Sequence, residues 1–186
     1  MSDVYAARRA RVLDALGADG ALILAAAPEL TVGADTDVRY LPDPDLFYLT
    51  GYAEPEAVLV LSPSADHVYT LFVRPRDPDR ERWTGVRGGV DAARASADAA
   101  HPIAELAAKL PALIAGAARV YIPFANMRIE VESAVRAAVQ QSARTRPRAG
   151  RGVHSVSDAR ALLAPLRLIK DAHELEQMRT AARISV

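Results

Sequence analysis

The run ALILA at 21–25, apolar at every position and bounded by Gly20 and Pro28, constrains the fold more than any other feature of the chain. A run this short is the length of a strand, and a strand can be apolar at every position only when both faces of its sheet are covered. Further β-like runs follow: LFYLTGY at 46–52, AVLVLS at 57–62 and VYTLFV at 68–73. They are rich in aromatic and β-branched residues and are separated by Pro, Ser, Asp and Gly, so each reads as a strand, the last two joined through PSAD as a hairpin.

Helical spacing supplies the cover. Tyr5, Val12, Leu13 and Leu16 share one face and stop at Gly17, a residue suited to the left-handed position that ends a helix. Ile103, Leu106, Leu110, Leu113 and Ile114 recur at helical intervals before Gly116. RVYI at 119–122 is another strand, and Val131, Ala134, Val135, Ala138 and Val139 make the stripe of a helix over about 127–142. ARTRPRAGR at 143–151 carries arginines, Pro147 and Gly150 without periodicity and reads as a solvated loop. Alternating helix and strand with an early hairpin predict an α/β fold, a mixed β-sheet with helices packed on it.

Composition narrows the function. A chain of 186 residues, 51% hydrophobic, can bury a core of ordinary domain size. Lys plus Arg (23) equal Asp plus Glu (23), which disfavours nucleic acid and anionic membranes as partners. There is no cysteine, so no disulfide, thiolate metal site or cysteine nucleophile is available. The charged start MSDVYAARRARV lacks the apolar centre of a signal peptide, and a cytoplasmic location with no membrane partner is the expectation.

The sequence offers little catalytic chemistry. His67, His101, His154 and His173 lack the i,i+4 partner that would put two ligands on one helical face. The acidic pairs Asp35/Asp37, Asp43/Asp45 and Asp77/Asp79 read as turn and cap residues, two of them bracketing a proline. GVRGG lacks the strand and helix context of a phosphate loop, and Thr50, Ser62 and Ser64 lack a nucleophile elbow. No catalytic residue and no metal ligand is assigned. Two features are left over. Trp83, the sole tryptophan, stands in RERWTGVRGG among arginines, a glutamate and glycines, where the ring either folds onto its own domain or closes a contact. At the other end, Asp171 and Glu174 form a capping-box pattern for a helix bearing Leu175, Met178 and Ala182, and that helix shows no stop signal before Val186. The expectation is that the chain is the front part of a longer polypeptide.

Several stretches, taken in order, resemble the N-terminal domain of bacterial aminopeptidase P, the Xaa-Pro aminopeptidase of the creatinase/prolidase group. They are AAAPEL at 25–30, Asp35 of GAD, DPDLFYLTGYAEPEAVLVLSP at 43–63, LFVRPRDPDRERWTGVR at 71–87 and RLIKDAHELEQMRTAARIS at 167–185. The chain departs from the family at Leu41 and Pro42, where an Arg-Gln pair is usual, and at Asp171 and Ala172, where Ser-Pro is usual. The resemblance implies an α/β domain over residues 1–166, with 167–186 leading into a C-terminal catalytic domain. That domain would hold two divalent metal ions, usually manganese, through two Asp, one His and two Glu, and this chain would be inactive alone. The resemblance further implies a dimer or tetramer acting on proline-containing peptides, with Trp83 and Asp35 reaching the substrate cleft of a neighbouring subunit. Arg74, Arg76 and Arg87 fall to the subunit interface or to holding acidic loops. A non-catalytic protein-binding module of pseudo-peptidase type, or a prolidase domain, remains as an alternative.

Overall fold

The structure is a computed structural model that describes residues 4–32, 36–125 and 127–185. Its elements run, in chain order, α1 (Val4–Leu16), β1 (Gly20–Ala25), β2 (Thr31–Val32), β3 (Thr36–Asp37), α2 (Pro44–Thr50), β4 (Val58–Leu61) and β5 (Tyr69–Val73). There follow α3 (Pro78–Thr84), α4 (Gly89–Arg94), β6 (Ala99–Pro102), α5 (Leu106–Leu113), β7 (Arg119–Ile122), α6 (Ile129–Ala149), β8 (Ser155–Asp158), α7 (Ala159–Leu168) and α8 (Ala172–Ser185). The main sheet has the order β6-β5-β4-β1-β7-β8, while β2 and β3 form a separate small hairpin. Only β4 runs against its neighbours, pairing antiparallel with β1 and with β5; the other pairings are parallel, so the sheet is mixed.

The all-apolar strands are covered on both faces, as their composition requires. Every residue of β1 is buried, and alternate side chains go to opposite layers. Leu22 and Leu24, with Leu59, Leu61, Leu71 and Val73, pack against Val12 and Leu16 of α1, Leu46 and Leu49 of α2, Ala93 of α4 and Leu163 of α7. Ala21 and Ile23, with Val58, Val60 and Phe72, pack against Leu106 and Leu110 of α5, Ile114 just beyond it, and Val131, Val135 and Ala138 of α6. The 57–73 hairpin forms as expected, with Val58 opposite Phe72 and Leu61 opposite Tyr69.

Two expectations are corrected. LFYLTGY is not a strand: its first residues lie in the helix α2, because the preceding DP is a helix start rather than a turn. Asp43 Oδ1 accepts from the amides of Asp45 (3.1 Å) and Leu46 (2.8 Å), and Pro44 occupies a first-turn position where no N–H is missed. Leu46 and Leu49, three apart, then face the core, and Gly51 ends the helix at φ +68°, its N–H bonded to the Phe47 carbonyl. Nor is 143–149 a loop. Helix α6 continues to Ala149 with Pro147 in its last turn, Arg146 and Arg148 lie where cations suit the negative helix end, and Gly150 closes it at φ +68°. The arginines there are solvated as expected, but on a helix.

The chain between Pro75 and His101, without apolar pattern, folds into α3, α4 and the strand β6. At the other edge β8 adds parallel to β7. The capping box forms as read: the Glu174 amide donates to Asp171 Oδ1 (2.8 Å) and the Asp171 amide to Glu174 Oε2 (3.0 Å).

Candidate functional site

Because β4 opposes β1 and β5, the ends of β1 and β5 and the beginning of β4 meet at one rim of the sheet. Glu29, Glu56 and Arg74, far apart in sequence, converge there. Arg74 donates a fork to Glu29, Nη1 to Oε2 at 2.8 Å and Nη2 to Oε1 at 3.4 Å, and lies 4.0 Å from Glu56. Arg128 adds a second cation, 3.7 Å from the Glu56 carboxylate, and donates to the Glu56 carbonyl at 3.5 Å. Burial alone would disfavour the Arg74 charge, but the hydrogen bonds and field of Glu29, with Glu56 and Glu54 behind, more than restore it. Glu56 sits at φ +63°, a left-handed conformation uncommon for a residue with a Cβ. Its N–H, bonded to the Ala27 carbonyl, and the two arginines hold it there.

The 76–89 segment rises from this rim on fixed supports. Helix α3 starts on Asp77, whose Oδ1 accepts from the Arg80 amide at 3.2 Å, with Pro78 in the first turn. Arg76 grips Glu81 of α3 in a bidentate pair, Nε to Oε1 at 3.0 Å and Nη2 to Oε2 at 2.7 Å. Past the helix, the Gly88 amide donates to Glu54 Oε1 at 2.7 Å, and the other oxygen of Glu54 accepts from Tyr52 Oη at 3.0 Å. Burial, then the Glu54 carboxylate, pushes the Tyr52 hydroxyl up, so it stays protonated and donating. Gly89, at φ +63°, lies so close to Arg76 that a Cβ there would be 2.7 Å from Arg76 Cγ. Both ends of the segment are therefore tied down, while Trp83 at the end of α3 is 89% exposed and Val86 81% exposed. An indole on a pinned support loses little conformational freedom when a partner covers it.

The fork also predicts a pH response. Arg76 holds the Glu81 carboxyl below its ordinary range, against a smaller opposing effect of burial, with the Arg87 amide helping. A depressed carboxylate contributes above its unfolded value and loses that contribution as pH falls through the folded one. Fluorescence anisotropy of Trp83, the sole tryptophan, should therefore be flat from neutral pH down to the ordinary glutamate range and fall below it. Glu81→Gln should lower the anisotropy already at neutral pH. An unchanged value in that variant would show that the fork does not steady the indole.

The residues singled out by sequence do not all gather. Asp35 lies outside the described residues. Arg74 and Arg87 are both 8% exposed and turned into the domain, while the Arg76 side chain is 57% exposed. Among the described residues, one guanidinium nitrogen of Arg87, Nη2, and Nε of Arg74 are buried without a hydrogen-bond partner. Asp43 and Asp77 serve as helix caps, and Asp45 pairs with Arg167. His101 lies 3.7 Å from Glu105 and packs on Phe72. Among the described residues no group of three or more His, Asp or Glu could hold a metal ion, and no helix is long and apolar enough to cross a membrane. Sequence reasoning passed over Glu54 and Glu81, which fix the support of Trp83. Only the five-residue step from Arg76 to Glu81 carried a local signal.

A six-stranded mixed sheet covered by helices on both faces, with an exposed indole on a pinned rim segment, defines an α/β domain. Residues 5–121 match the family model described as the aminopeptidase P N-terminal domain, and the chain belongs to that family. It is 33% identical to the Xaa-Pro aminopeptidase of Escherichia coli over 96% of this chain and 41% of that protein. To Xaa-Pro aminopeptidase 3 of Mus musculus it is 29% identical over 91% of this chain and 34% of that protein. Among solved structures, the aminopeptidase PepP of Pseudomonas aeruginosa superposes with a TM-score of 0.86 at 36% identity, covering 97% of this chain and 41% of that one. The low-pH form of Escherichia coli aminopeptidase P gives 0.84 at 32% identity, covering 97% and 42%. The chain thus spans about two fifths of the length of these bacterial relatives.

Proposed function

We propose that this chain is the N-terminal domain of a cytoplasmic, metal-dependent Xaa-Pro aminopeptidase, which removes the first residue from peptides with proline second. Residues 1–166 form the domain and 167–186 lead toward the catalytic domain. Its work is assembly and shaping of the substrate cleft, with Trp83 and Asp35 entering the cleft of a neighbouring subunit in a dimer or tetramer. The observation that carries this reading is the exposure of Trp83 on a segment tied at both ends, within a chain of this family. A rigid indole offers an apolar wall with one N–H donor, which suits the ring of a proline-containing peptide. Arg76 is the arginine best placed for a subunit contact, while Arg74 holds the rim from inside and Arg87 is buried.

The two divalent metal ions of the family, manganese by resemblance, do not fit the described residues of this chain, which offer no donor cluster. They belong to the catalytic domain, where they would supply the hydrolytic chemistry. The test is turnover measured side by side in manganese. The full-length protein should cleave Xaa-Pro-Yaa peptides in preference to Xaa-Pro dipeptides, and the 186-residue chain should cleave neither. Enzymatic turnover by the isolated chain would refute the division of labour, and a preference for dipeptides would favour prolidase.

A further inference from the structure

Helix α8 has no buried residue, yet its first turn is fastened to the body of the domain. The fastener is Arg8 of α1, 6% exposed although it is an arginine. Its Nε and Nη2 donate to Asp171 Oδ2 at 3.0 and 2.9 Å, its Nη1 donates to the Tyr48 carbonyl at 3.2 Å, and its guanidinium lies 4.2 Å from the centre of the Tyr48 ring. Glu174 stands 3.9 Å away as a second counter-charge. Asp171 Oδ1, the oxygen not bonded to Arg8, is the one that caps α8. A single carboxylate therefore starts the helix with one oxygen and neutralises a buried guanidinium with the other. A serine could cap the helix but could not pair with Arg8. Between α7 and α8 the chain is extended at Ile169 (φ −96°, ψ 117°), so no continuous helix carries the direction of α7 into α8.

We propose that Arg8 and Asp171 form a clamp that fixes the direction in which α8 leaves the domain, coupling the start of that helix to α1 through Arg8 and to α2 through the Tyr48 carbonyl. Arg8 is here a positioning residue, and the inference does not depend on the enzymatic reading. A helix of 14 residues is marginal alone in water, so the protection of its amides reports how firmly its start is capped and held.

Hydrogen exchange tests this in a double-variant cycle on the 186-residue chain: Arg8→Gln, Asp171→Ser and both together. Serine retains a cap at position 171, and amides of β1 and β4 provide the internal reference. Arg8→Gln is expected to speed exchange of the α8 amides about tenfold beyond any change in β1 and β4. In the Asp171→Ser background, adding Arg8→Gln should leave α8 exchange unchanged relative to the reference strands, because the clamp is already open. The proposal is overturned if Arg8→Gln accelerates α8 equally in both backgrounds, or if α8 in Asp171→Ser keeps the wild-type rate.

Discussion

Phe72→Ala is expected to destabilise the domain by about 3–5 kcal/mol, among the largest losses any single substitution here can cause. Phe72 is fully buried near the end of β5, opposite Val58 of β4 on one side and His101 of β6 on the other. Its ring fills the layer shared with Ile23, Val60, Leu106 and Leu110, and lies 5.5 Å from the imidazole of His101. The strands on both sides are hydrogen-bonded into the sheet, so the site cannot collapse to refill the space, and the cost rises with the cavity that remains. Urea unfolding should show a lower midpoint with an unchanged slope. A loss below about 1 kcal/mol would mean that the α5–α6 layer is not packed as described. Arg74 lies two residues beyond Phe72, and a core that fails at β5 also loosens the rim on which Trp83 is carried.

Strands β1 and β4 were legible because each is an apolar run, and burial on both faces is the simplest environment such a run can have. The edge strands were not. AAHP and SVSD are half-buried, have one neighbour each and carry no hydrophobic run, so only their pairing with β5 and β7 makes them strands. LFYLTGY misled through composition: aromatic residues favour strands, but the Asp43 cap, Pro44 and the three-residue spacing of Leu46 and Leu49 decided for helix. The candidate site shows the same division. Trp83 stood out as an indole in a polar setting, whereas its support depends on Glu54 reaching Gly88 across 34 positions and Arg74 reaching Glu29 across 45, which no local pattern encodes. The inward turn of Arg74 and Arg87 was invisible for the same reason.

Trp83→Ala in the full-length protein is expected to leave stability within about 0.5 kcal/mol of wild type, because the side chain is 89% exposed and little of it is removed from water by folding. Under the proposed function, its effect falls on the substrate cleft or the subunit contact that the indole would line. Aromatic anchors at contacts commonly contribute about 2 kcal/mol or more, so a drop of at least tenfold in kcat/KM on Xaa-Pro-Yaa peptides is expected. Should the indole line the cleft, the loss appears with the oligomer intact; should it serve the subunit contact, the loss appears with dissociation. Both follow from a partner covering the ring, and the oligomeric mass separates them.

The most direct test is therefore kcat/KM of full-length Trp83→Ala on an Xaa-Pro-Yaa peptide, measured with its oligomeric mass and melting temperature. Turnover is expected to fall at least tenfold while the melting temperature stays at the wild-type value. Wild-type turnover from a wild-type assembly would contradict it and leave Trp83 as a surface residue without a partner.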